Sequence, residues 1–128
     1  MAKSIKLSNN TFIDSTGIVY NRQLLSNLLK INKYTVSSYL VNDWVTNGSN
    51  QMFNVNGIKV LVISVRYGSS RTIINSLPSD MRPTSGELLF PATDQTNGGW
   101  VSISTNGVVS VKQALATTQI VNFIAVYY

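Results

Sequence analysis

Asn56-Gly57 stands between two runs of residues that match each other in one register. If these two residues form a hairpin loop, Val55 faces Ile58, Asn54 faces Lys59 and Phe53 faces Val60, so apolar meets apolar and polar meets polar. A type I′ turn needs left-handed backbone at both central positions. Asn and Gly supply it, and the twist of such a turn suits two antiparallel strands. A second pair, Asn106-Gly107, leads to a different loop. Two residues there would set Ile103 against Ser110, whereas a three-residue loop of Thr105, Asn106 and Gly107 pairs Ile103 with Val109 and Val101 with Val111. A bulged turn with Gly107 left-handed is predicted.

The hairpins belong to a series of short strands. Segments 52–55, 58–67, 72–76, 87–90, 100–104, 108–112 and 120–128 are rich in β-formers and bounded by turn residues, and 34–45 alternates loosely before them. Only 12% of residues are charged, yet 16 Ser, 14 Asn and 11 Thr supply polar surface of the kind that favours turns and strands over helix interiors. The fold class expected is all-β, an antiparallel β-sandwich or jelly-roll-like head.

Residues 1–33 differ from the rest. Extended pieces at 3–7 and 11–19 are broken by Ser8-Asn9-Asn10 and Ser15-Thr16-Gly17, and a short N-terminal helix is expected after them. Asn21 suits its N-cap, Tyr20 and Leu25 suit a hydrophobic staple, and Leu24, Leu25, Leu28 and Leu29 form one stripe. About ten residues do not hold a helix alone in water, so that stripe needs a partner surface. This segment carries Lys3, Lys6, Arg22, Lys30 and Lys33 against Asp14 alone, while 34–128 carries five cations against four anions. The division expected is an attachment segment, 1–33, and a nearly neutral head, 34–128.

Composition excludes much chemistry. With no His and no Cys, the chain has no Ser/His/Asp triad, no cysteine nucleophile, and no imidazole or thiolate to ligate a metal. It has no phosphate-cradling loop, calcium loop or Ser-x-x-Lys nucleophile, and no spacing singles out a catalytic pair from Asp80, Glu87 and Asp94. No catalysis, cofactor or metal is expected. The cations of 34–128 are scattered singly, so no nucleic-acid partner is expected. The longest apolar run, 58–65, is interrupted by Lys59 and Ser64 and too short to insert in a membrane.

Two strands are apolar on both faces. Ile58, Val60 and Val62 oppose Leu61, Ile63 and Val65; Ile124 and Val126 oppose Phe123, Ala125 and Tyr127. Wetting the second face would forfeit about 1.5 to 3 kcal/mol per large side chain, so something covers it, either the helix or a second copy. A homo-oligomer is expected.

The order Asn56-Gly57, apolar strand, Tyr67-Gly68, Thr72-Ile73-Ile74, Leu77-Pro78-Ser79-Asp80-Met81-Arg82-Pro83, hairpin 101–111 and closing aromatic strand resembles the C-terminal heads of bacteriophage tail-fibre and baseplate receptor-binding proteins. Ile5-Lys6-Leu7-Ser8-Asn9-Asn10, Phe12-Ile13-Asp14 and the leucine-bearing segment resemble their N-terminal part, and the likeness leaves out about 34–51. Asp80 and Met81 stand where such proteins often carry Gly and an aromatic. The resemblance implies a homotrimer in the virion tail, made in the bacterial cytoplasm, that contacts other tail proteins and binds a host cell-wall saccharide. Two alternatives stand beside it: a structural tail or baseplate subunit without receptor binding, and a non-viral lectin-like module.

A sugar site needs an aromatic face and converging polar groups. The first candidate is Asp94, Asn97 and Trp100 around the turn-rich loop 91–99; its bland alternative is an Asx turn beside a packing tryptophan. The second is Trp44, with ordinary packing as the alternative. The third is Tyr67 and Arg71 flanking Gly68-Ser69-Ser70, where a solvated hairpin tip is the alternative. The Leu-Pro-x-x-x-Arg-Pro segment reads as a rigid connection, because each proline holds the residue before it extended.

Overall fold

In a computed structural model of the chain, residues 5–6, 11–13, 19–21, 30–94, 96–112 and 120–128 are described. The expected N-terminal helix lies outside them. The chain divides into two units, Met1–Ile31 and Asn32–Tyr128. In the first, strands β1 (Ile5–Lys6), β2 (Thr11–Ile13) and β3 (Val19–Asn21) form an antiparallel meander, with Ile5 opposite Ile13 and Phe12 opposite Tyr20.

The second unit is all-β and antiparallel. Its strands are β4 (Ile31–Tyr34), which begins at the boundary residue, β5 (Val45–Thr46), β6 (Gln51–Val55), β7 (Ile58–Arg66), β8 (Thr72–Ile74), β9 (Leu88–Thr93), β10 (Gly98–Ile103), β11 (Val109–Val111) and β12 (Ile120–Tyr127). They make one sheet in the order β4-β6-β7-β12-β9-β10-β11-β8, with β5 paired to the far end of β7. The sheet curls in a sandwich-like way around a single core. The segment that follows β4 reaches the opposite end of the sheet, where Leu40 bridges Ile74 and the Val41 N–H donates to the Ile73 carbonyl at 3.0 Å.

Both hairpins form in the expected registers. Val55 pairs with Ile58, Asn54 with Lys59 and Phe53 with Val60, and Asn56 and Gly57 have φ of 50° and 90°. Ile103 pairs with Val109 and Val101 with Val111, with Gly107 at φ 82° and its N–H on the Ser104 carbonyl at 2.9 Å. The loosely alternating segment 34–45 is a correction. β4 stops at Tyr34, a 3-10 turn takes Val36–Ser38, and Asn42 and Asp43 adopt successive left-handed conformations that swing Trp44 inward. Asn and Asp are among the few residues that visit that region readily.

One face of the sheet carries the core: Met52, Leu61, Ile63, Val65, Ile73, Val101, Val111, Val121 and Ala125 are essentially inaccessible. Asn54 and Lys59, the polar pair of the first hairpin, point to this buried face rather than to water. Their partners explain it. Asn54, Lys59 and Tyr127 form one cross-strand row on β6, β7 and β12. The Asn54 amide donates to the Asp80 carbonyl at 2.6 Å, the Tyr127 hydroxyl to that of Met81 at 2.6 Å, and the Lys59 ammonium to that of Arg82 at 2.5 Å. Three consecutive carbonyls of the 77–83 segment are thus taken by three neighbouring strands, and Lys59 Nζ also lies 5.8 Å from the centre of the Tyr127 ring. Leu77 and Met81 seal the same end of the core from this segment. The Arg82 guanidinium closes the loop on itself, bonding the Leu77 carbonyl at 2.9 Å and Ser76 Oγ at 3.0 Å. Arg82 is extended, as a residue before proline must be.

Candidate functional site

The outer face of the sheet presents Trp100 near the middle of β10, 46% exposed. It pairs with Pro91 of β9, and its carbonyl accepts the Lys112 N–H at 2.7 Å just beyond β11. Trp100, Leu89, Glu87 and Lys112 line an open hollow of about 370 Å³. Leu89, 57% exposed, supplies more apolar surface, and the Glu87 carboxylate and Lys112 ammonium stand 3.6 Å apart at the margin. The backbone under this margin is fixed. The Arg71 guanidinium bonds the Lys112 carbonyl, and the Val111 N–H donates to the Arg71 carbonyl at 2.8 Å. An indole face beside one acceptor group and one donor group can take a ligand with an apolar flank and hydroxyls at its edge. The two charges offset each other, so the hollow has no strong preference for an ion of either sign.

Of the residues expected at a site, Trp100 alone is both exposed and part of this hollow; Arg71 is behind it as a brace. Asp94 and Asn97 do not converge on Trp100. Asp94 turns into its own loop, where Oδ1 accepts the N–H groups of Asn97 at 2.7 Å and Thr96 at 3.2 Å and the Thr96 hydroxyl at 3.3 Å. The Asn97 N–H, then the Thr96 donors, hold the Asp94 carboxyl below its ordinary pKa against the opposing effect of burial. Asn97 spends its amide on Thr96 Oγ1 at 3.2 Å. This is the Asx-turn alternative: three donors of its own loop take Oδ1, and Asp94 is 2% exposed.

Trp44 is likewise a packing residue: 3% exposed, with Nε1 donating to the Ser70 carbonyl at 2.9 Å. Gly68 lies flat on its ring, because a Cβ there would stand 1.9 Å from Trp44 Cε2. Tyr67 turns left-handed, φ 61°, to bring Gly68 into place; its own ring stays exposed under the Arg66 guanidinium at 5.2 Å. Arg71, beyond the Gly68-Ser69-Ser70 turn, is engaged with the Lys112 carbonyl, while Tyr67 stacks with Arg66.

Glu87, Leu89 and Lys112 were not among the expected site residues. For Lys112 the signal was present, since the register that sets Val101 against Val111 also sets Trp100 against the next residue, 112. Glu87 and Leu89 arrive through the β9–β10 pairing, in which Leu88 faces Ile103. A second, polar cleft of about 320 Å³ is lined by Tyr34, Thr35, Val36, Ser37, Thr46, Gly48 and Asn50. Its Tyr34 hydroxyl donates to Asp80 Oδ1 at 2.5 Å, and Asn32 bonds Asp80 Oδ2 at 2.9 Å. That bond to Asp80, then burial, pushes the Tyr34 phenol up to about 12. Asn50 is spent on the backbone of Ser64, accepting its N–H at 2.6 Å and donating to its carbonyl at 3.0 Å.

Among the described residues, no three carboxylates come together to hold a metal. Compared with known proteins, the chain matches no family model and no curated protein.

Proposed function

We propose that this chain is a non-catalytic adhesion protein of a bacteriophage tail, a self-associating β head that grips a neutral saccharide of the host envelope through Trp100. The observation that carries the reading is the half-exposed indole on a rigid strand, flanked by Leu89 and by the Glu87–Lys112 pair. A sugar ring offers C–H groups to an aromatic face and hydroxyls to a carboxylate and an ammonium, and this hollow supplies all three. The order of sequence segments shared with phage receptor-binding heads supports the tail assignment and, with it, a homotrimer. Weak single sites suffice in such an assembly, because several copies on one particle raise the effective concentration of each.

The test is binding of the purified full chain to whole bacteria or isolated envelopes. Trp100→Ala is expected to weaken binding at least tenfold while far-UV circular dichroism stays unchanged. Wild-type binding by this variant removes the site. A second reading, a structural tail or baseplate subunit, draws support from the exposed apolar outer face described below. It predicts no binding to envelopes by the unmodified chain either.

A further inference from the structure

β7 buries a lysine and turns apolar side chains outward. Lys59, Leu61, Ile63 and Val65 point to the core, while Ile58, Val60 and Val62 point outward, Ile58 40% exposed. A strand shifted by one residue would place its lysine in water and those apolar side chains inside. Across the ladder, Val60 pairs with Val126 and Val62 with Ile124, and these β12 side chains are 57% and 63% exposed. Phe53 and Val55 extend the strip onto β6 by pairing with Val60 and Ile58. Leu89 and Trp100 extend it the other way. No charged side chain lies on this face between Ile58 and Ser64 of β7, or along β6 or β12; Arg66 at the end of β7 and the Glu87–Lys112 pair form its margin. An uncharged apolar centre inside a charged margin is the anatomy of a protein–protein contact.

We infer that the outer face of β6, β7 and β12 is the contact surface between copies of this chain. The inference rests on the self-association in the proposed function and names the surface that performs it. Two features favour a second copy as the occupant. Residues 34–128, which carry this face, are nearly neutral, five cations against four anions, so two copies bring their uncharged faces together with little repulsion between the heads. The large side chains exposed along the whole strip, Ile58, Ile124 and Val126 together with Leu89 and Trp100, present apolar surface on the order of 500 Å², near the apolar share, about 60%, of the roughly 800 Å² that each partner buries in a stable interface. Trp100 lies two strands from β12, roughly 10 Å away at the usual strand spacing, so its hollow falls at the margin of the contact.

The experiment is light scattering on the full chain at micromolar concentration, with the double variant Ile124→Lys/Val126→Lys and, as a control, Thr105→Lys at an exposed hairpin tip. Wild type and control are expected to show a multiple of the single-chain mass, and the double variant a single-chain mass with unchanged circular dichroism. If the lysine variant does not fold, the neutral variant Ile124→Asn/Val126→Thr decides. Its dissociation midpoint on dilution is expected to rise at least tenfold. A double variant that keeps the wild-type mass, or a neutral variant with the wild-type midpoint, overturns the assignment of the surface and leaves the adhesin reading standing. A wild-type chain of single-chain mass overturns self-association itself and means that the strip is covered by the chain's own segment or by a foreign protein. Envelope binding is read separately and bears only on Trp100.

Discussion

At the scale of single residues, the two tryptophans show how one residue type acquires opposite roles. Each follows or precedes polar turn formers, and neither neighbourhood distinguishes a core residue from an exposed one. Trp44 is drawn inward because the left-handed pair Asn42 and Asp43 turns the chain and Gly68 leaves room for the ring. Trp100 stays outward because Val101, its neighbour on β10, takes the inward position. Gly68→Ala is accordingly expected to destabilise the protein by about 1 to 3 kcal/mol, as overpacking does. Gly98→Ala, where an added Cβ meets nothing within 4 Å, is the comparison. Urea unfolding of both variants checks this; a Gly68→Ala midpoint as high as that of Gly98→Ala contradicts the packing of Trp44. The position of Trp44 was not legible in the sequence, since Gly68 and Trp44 are 24 positions apart and only the fold joins them.

At the scale of elements, the hairpins were legible because their information is local. Asn-Gly fixes the turn, and matching side chains across it fixes the register of the two strands. The 77–83 segment was half legible. Its prolines announce a rigid connection, but nothing local says that its carbonyls are taken by Asn54, Lys59 and Tyr127, which stand between 23 and 46 positions from them in the chain. Those bonds tie the segment to the sheet. Removing one donor leaves a buried carbonyl without a partner, which costs about 1 to 3 kcal/mol. Tyr127→Phe is therefore expected to lower the unfolding midpoint by that much with little change in denaturant slope. A wild-type midpoint would mean that the Met81 carbonyl finds another donor at no cost. The 34–45 segment misleads for a related reason: its alternation resembles a strand, yet it must cross from β4 to meet Ile74 at the opposite end of the sheet.

At the scale of the whole molecule, two phenols link the 77–83 segment to its surroundings, and both are held protonated. The Tyr34 phenol is raised to about 12 by its bond to Asp80, and burial raises that of Tyr127. A group whose folded pKa lies above its unfolded value contributes stability that is complete below the unfolded pKa, about 10 for tyrosine, and is lost as pH rises through the folded one. The stability gap between wild type and Tyr34→Phe is expected to be constant below about pH 9 and to narrow from about 10 to 12, followed by chemical denaturation across that range. A gap that does not change with pH removes the Tyr34–Asp80 bond from the account. The sequence by itself determined the all-β class, the two hairpin registers and the existence of strands apolar on both faces, because turn chemistry and two-residue periodicity act over a few neighbouring positions. Only the tertiary structure decided which of those faces is the core, that Lys59 is buried, and that Glu87, Leu89 and Lys112 gather around Trp100. These outcomes depend on which strands lie side by side, and that is set by the burial of the whole sheet at once.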